Sequence, residues 1–126
     1  MNNMQKPLHK VKGLGSSHSG TGHFWHERVS AAALIPLTLW FGYAVLGLMN
    51  ASQIAAISFL AHPINAILMA AFVIITLYHI KLGLQVIVDD YVHSAGTKIA
   101  LLLLVRFIVI ATGAACLFAL LRIASL

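Results

Sequence analysis

The sequence predicts an all-α integral membrane protein with three transmembrane helices, its N-terminus inside and its C-terminus outside. Three observations carry that prediction. Hydrophobic residues make up 60% of the 126 and charged residues only 9%, against about 25% charged in an average soluble domain. So little polar surface does not cover a water-soluble fold. The apolar residues are also gathered into three runs, about 29–49, 64–88 and 99–122. Each is at or above the ~20 residues that a helix rising 1.5 Å per residue needs to cross about 30 Å of hydrocarbon. Lipid admits only backbones that satisfy their own hydrogen bonds, which makes such runs helices. Finally, the cations are unevenly placed. Lys6, Lys10, Lys12 and Arg28 precede the first run and Lys98 lies between the second and third, whereas residues 50–63 contain no Lys or Arg. The positive-inside rule then sets the orientation.

The same composition excludes other classes. A net charge of +5, carried by scattered residues, is too thin for a nucleic-acid surface. The single cysteine, Cys116, falls within the third run, so neither a disulfide framework nor a cysteine metal site is available.

Residues 1–22 are rich in Gly, Ser and Lys and contain no acid. They read as a flexible polar tail ahead of a three-helix anchor domain, 23–126. The tail lacks the apolar core and cleavage site of a secretory signal. It carries lysines where an organelle-targeting sequence usually carries arginines, which favours a bacterial inner membrane over a mitochondrial one.

His23-Phe24-Trp25-His26-Glu27-Arg28 leads into the first span. Phe24 and Trp25 suit the interfacial aromatic belt. Arg28 stands at the boundary, where a snorkelling anchor to lipid phosphates competes with a ligand role. Ser30 to Ala33 is a run of small residues suited to close approach by another helix. Pro36 removes a backbone donor inside the span and predicts a bend, and Trp40 and Tyr43 read as packing residues. Residues 50–63 form an uncharged connection with room for a short interfacial helix using Ile54, Ile57 and Leu60. Pro63 suits the first turn of the next helix, and His62 reads as a solvated or capping residue. The third span is nearly all Leu, Ile, Val and Ala, except for Arg106 about 12 Å beyond Lys98. A charge at that depth faces a partner or cavity, unless it snorkels back to the interface.

The second span carries the chemistry. At about 100° per residue, Phe72, Thr76, His79, Gly83, Val86 and Asp90 fall on one side of a helix. A nitrogen ligand, a gap without a side chain and a carboxylate therefore share a face, which suits a flat cofactor with a more polar site at its end. His79 lies about 16 Å along the helix from Asp90, near the bilayer midplane if Asp90 marks the inner interface. The plain alternative is a histidine hydrogen-bonded to a neighbouring helix. Gly83, one turn on, leaves room for a macrocycle. No second histidine lies at that depth in this chain, so ligation of a haem iron by two histidines requires another subunit.

Asp89, Asp90 and Tyr91 end the span. They are either simply solvated interface residues or part of a site. A phenol stays protonated at physiological pH and donates a hydrogen bond. That suits a quinone carbonyl, whose oxygen gains negative charge on reduction, with a carboxylate in reach of water to relay protons. Asp89 is turned about 100° off the His79 face and Lys81 about 200°.

The pattern His79-x3-Gly83-x6-Asp90-Tyr91, in the second of three spans, resembles the small hydrophobic membrane anchor (D-type chain) of succinate dehydrogenase. The upstream stretch SGTGHFWHERVSAAALIPLTLW, residues 19–40, is similar to the α-proteobacterial and mitochondrial branch of that family. The resemblance implies that His79 is one axial ligand of a haem b, shared with a second membrane anchor subunit of the cytochrome b556 type. It implies that Tyr91 hydrogen-bonds ubiquinone and that Asp90 belongs to the same network. Arg28 would lie near the haem propionates, with Arg106 a weaker candidate, and Gly83 would pack against the haem. Succinate would be oxidised on a separate flavoprotein, with electrons passing through an iron–sulfur subunit. The chain departs from some relatives in its doubled acid, Asp89-Asp90, and in Arg106. The competing functions are a small transporter or channel subunit, against which stands the absence of any mid-span acid, and a purely structural assembly subunit.

Overall fold

A computed structural model describes residues 18–126. Four helices follow one another: α1 His18–Leu48, α2 Gln53–Ala61, α3 Pro63–Tyr91 and α4 Ala95–Ala124. No strand occurs among the described residues. Three of the four, α1, α3 and α4, are long and apolar enough to cross a membrane. Each exceeds the roughly 20 residues that a span requires, so each overruns its apolar run. Hydrophobicity marks where the lipid begins, but the backbone ladder continues through polar interfacial residues. α1 accordingly starts at His18, ahead of the boundary expected at residue 22. The remainder of that tail, residues 1–17, lies outside the described residues. α1 also runs unbroken through Pro36.

The short connection folds as its residues suggest. Ser52 caps α2 by accepting a hydrogen bond from the Ala55 N–H at 3.2 Å, the usual role of a serine at that position. His62 closes α2 with its backbone N–H on the Phe59 carbonyl, and Pro63 then opens α3. The Asn65 side chain donates to the same carbonyl at 3.0 Å. Trp40 of α1 stacks on Phe59 of α2, with ring centroids 6.3 Å apart. The other residue read as packing, Tyr43, is 79% exposed among the described residues.

α3 is the central element. Both α1 and α4 pack on it, and α2 lies against α3 and α4. Among the described residues only Ala44, Leu82, Val88 and Leu120 form a buried apolar core, while Ile35, Leu39, Leu46, Phe107, Ile110 and Leu121 are all more than half exposed. In water such a surface would aggregate. In lipid it costs nothing, because acyl chains are as apolar as leucine and helix association rests on close packing and interhelical hydrogen bonds.

Candidate functional site

One interhelical hydrogen bond organises the α1–α3 contact. Ser30 Oγ lies 2.8 Å from His79 Nδ1, and Ser30 is the one polar side chain buried among the described residues, at 5% exposure. The small run Ser30 to Ala33 lets α1 come close enough for this contact. A large side chain at position 30 would hold the backbones apart. Two turns of α3 earlier on the same face, Phe72 stacks on Phe41 of α1, centroids 4.5 Å apart. The expected co-facial set is therefore not open along its whole length. Its Phe72–His79 part is packed on α1, because the twin aromatic and Ser–His contacts pull the two helices together there.

The space opens at Gly83. A β-carbon built at that position meets no atom within 4 Å, so among the described residues no side chain fills the gap that the sequence leaves. Two buried polar atoms in this region have no hydrogen-bond partner, Thr76 Oγ1 and His23 Nε2. Thr76 is about 60° from His79 around α3, and His23 is about 20° from Ser30 around α1. Thr76 belongs to the face that the sequence marks, whereas neither His23 nor Ser30 stands out there as a site candidate. The available signal is spacing: seven residues from His23 to Ser30 place both on one helical face. His26, next to that face, meets the Tyr78 ring edge-on at 6.1 Å.

At the end of α3, Asp90 and Tyr91 are exposed, Tyr91 at 79%. They present a carboxylate and a phenol side by side at the surface of the chain. Asp89 is not part of that pair. It turns toward α4, where its carboxylate lies 3.6 Å from Lys98 Nζ. The doubled acid thus divides its work: one carboxylate bridges α3 to α4 and the other stays outside the bridge.

The remaining cations fall elsewhere. Lys81 and Arg106 line one groove of about 430 Å³ between α3 and α4, with Ile74, Leu77, Tyr78 and Gly113. This groove is on the side of α3 away from Ser30, so the structure does not bring Arg106 to His79. Lys81 Nζ also sits 5.6 Å from the Tyr78 ring centroid. Arg28 is exposed, with its guanidinium 5.0 Å from the Phe24 ring centroid. It is two residues from Ser30 but about 200° away around α1, and no ion pair to it forms among the described residues.

No group of three or more His, Cys, Asp or Glu is gathered to hold a bare metal ion among the described residues. The donor set present is a lone imidazole, which would suit the iron of a porphyrin rather than a bare ion. A single imidazole has one nitrogen engaged by Ser30, leaving its other nitrogen for a metal, beside a stretch of helix that lacks a side chain.

Comparison with known proteins places the chain in a definite group. Residues 2–113 match the model of the succinate dehydrogenase/fumarate reductase transmembrane subunit family. The succinate dehydrogenase hydrophobic membrane anchor subunit of Paracoccus denitrificans is 36% identical over 101 residues, 80% of this chain and 78% of that protein. The corresponding subunit of Rickettsia bellii is 35% identical over 103 residues, 82% of each chain. The succinate dehydrogenase membrane anchor subunit of Reclinomonas americana is 28% identical over 109 residues, 84% of this chain and 88% of that one. No solved structure gives a significant match.

Proposed function

The chain belongs to the succinate dehydrogenase/fumarate reductase transmembrane subunit family, and from that premise we propose that it anchors a succinate:quinone oxidoreductase in the bacterial inner membrane. On this reading it is one subunit of the enzyme and not an enzyme alone. Its partners are a second anchor subunit of the cytochrome b556 type, an iron–sulfur subunit and a flavoprotein. The N-terminus faces the inside, as the cation-free connection 50–63 supports.

The observation that carries the site reading is the Ser30–His79 hydrogen bond at 2.8 Å beside the open space at Gly83. His79 would hold the iron of a haem b through its remaining nitrogen. A second histidine would come from the partner anchor, since this chain has no other at that depth. Bound haem supplies a one-electron carrier within the membrane. Gly83 leaves space for the flat ring. Arg28, with its guanidinium exposed, is the first candidate for pairing with a propionate, and Arg106, which lines the α3–α4 groove, the weaker one.

Ubiquinone takes two electrons and two protons in becoming ubiquinol. Tyr91 donates its phenol hydrogen to a quinone carbonyl oxygen, a bond that strengthens as that oxygen gains charge. Asp90, exposed at the end of α3, takes protons from water and passes them toward that oxygen. Both side chains face away from this chain's own packing, so the site is completed by neighbouring subunits.

Two variants of the assembled complex test this reading. His79→Ala should remove most of the b-type haem absorbance, and unchanged haem would end the ligand assignment. Tyr91→Phe should lower succinate:ubiquinone activity by about 10- to 100-fold, the loss of one charge-developing hydrogen bond. Succinate oxidation with an artificial acceptor should persist. Equal loss of both activities would trace the effect to assembly instead.

A further inference from the structure

The hydroxyl of Ser30 has one proton and two polar neighbours. Its Oγ lies 3.0 Å from the Glu27 carbonyl oxygen and 2.8 Å from His79 Nδ1. The carbonyl only accepts, so a bond from Ser30 to it uses the hydroxyl proton, and Nδ1 is then the N–H that donates to Oγ. In the reverse arrangement the hydroxyl donates to Nδ1. That leaves two oxygens facing one another at 3.0 Å with no proton between them, and it moves the ring proton to Nε2. One arrangement makes both hydrogen bonds and the other forfeits one, at a residue only 5% exposed. The first arrangement makes one more hydrogen bond at a buried group, and that difference favours its tautomer.

We propose that Ser30 is the positioning residue of His79. The relay from Nδ1–H to the Ser30 hydroxyl, and from that hydroxyl to the Glu27 carbonyl, fixes both the tautomer and the rotation of the ring. It leaves the Nε2 lone pair for a metal. Metal-ligating histidines generally hold their second N–H against an acceptor, which orients the ring and raises its basicity. Here the acceptor comes from a different helix, 49 residues away. The neighbours of Ser30 sharpen the point. Ala31, Ala32 and Ala33 are as small or smaller, so close helix approach alone would be met by alanine at position 30. The hydroxyl is what alanine does not supply. The inference rests on the reading of His79 as a haem ligand.

The test uses the complex purified with its native partners. Ser30→Ala removes the acceptor, so the imidazole donates less electron density and the ferric haem is less stabilised. The haem midpoint potential should rise and the low-spin electron paramagnetic resonance signal should broaden as the ring loses its fixed angle. Ser30→Thr keeps the hydroxyl and should restore both. Ser30→Cys, close in volume but a weak acceptor, should shift the potential in the same direction as alanine, and it decides the matter if the alanine variant does not assemble. A potential and line shape unchanged in Ser30→Ala or Ser30→Cys, with haem lost in His79→Ala, would overturn the role of Ser30 and leave the ligand intact. Haem retained in His79→Ala would instead remove the ligand reading and this inference with it.

Discussion

On the α1 side of α3, an imidazole nitrogen is held at 2.8 Å by a buried serine hydroxyl. On the α4 side, a lysine and an arginine share a groove of about 430 Å³ with apolar residues and no acid. One flank ties its histidine to a serine within the chain, while Thr76 Oγ1 and His23 Nε2 beside them have no hydrogen-bond partner. The other leaves two cations for whatever surrounds the helix pair. The difference separates preparation from exposure. A ligand whose ring is set before a cofactor arrives does not lose orientational freedom on binding, whereas the long side chains of Lys81 and Arg106 keep theirs. On the proposed reading the α1 flank is the cofactor side, and the α4 flank a surface.

The comparison can be broken most decisively at two glycines, Gly83 and Gly113. Gly83 has no atom of this chain within reach of an added β-carbon. Gly83→Phe should leave the three helices packed as before, yet cut haem content of the complex by about tenfold or more, since each 1.4 kcal/mol of obstruction is a factor of ten. Normal haem content would show that the space beside Gly83 faces lipid. Gly113 is the reverse case, because a β-carbon there comes 3.3 Å from Leu77 Cδ1. Gly113→Leu should destabilise the α3–α4 pair by about 1–3 kcal/mol, the usual cost of overpacking. It should lower the thermal midpoint of the complex while leaving the haem spectrum in place. Gly113→Ala should be much milder, since the end of a leucine side chain gives way by a small shift.

Much of this contrast is legible in the residues. The three spans follow from hydrophobicity alone, and Lys81 falls away from His79 because two residues make about 200° of helix. The short α2 and its proline-led successor follow from turn chemistry. What the chain does not reveal is register between helices. Ser30 reads as one more small residue until α1 is laid against α3, and then its hydroxyl meets a histidine 49 positions later. Asp89 and Asp90 differ by about 100° around the helix, but that says nothing of what each one meets. Only the approach of Lys98 shows that one carboxylate is committed to a bridge. Arg106 reads as a candidate for the haem side because depth can be counted along a helix, while azimuth relative to a neighbour cannot. The face containing Phe72 reads as open, but periodicity gives a shared side without saying which helix covers it.

Smaller effects sharpen the same division. Replacing both Lys81 and Arg106 by methionine keeps much of the length and apolar stems of the side chains and removes the charge. Haem content and spectrum should stay within about twofold of the unaltered complex, because α3 stands between the groove and His79. A loss beyond that would show the two flanks to be coupled. The smallest change is expected at Asp89→Asn. Its carboxylate and the Lys98 ammonium are 3.6 Å apart and both partly open to solvent, a setting in which ion pairs contribute about 0–1 kcal/mol. The thermal midpoint should therefore move little, and quinone reduction should be kept, since the proposed function gives the proton relay to Asp90. Asp90→Asn makes the informative control: it should lower quinone reduction severalfold while leaving the bridge to Lys98 intact. If the two variants behave alike, the doubled acid acts as one unit, and the division of labour at the end of α3 is wrong.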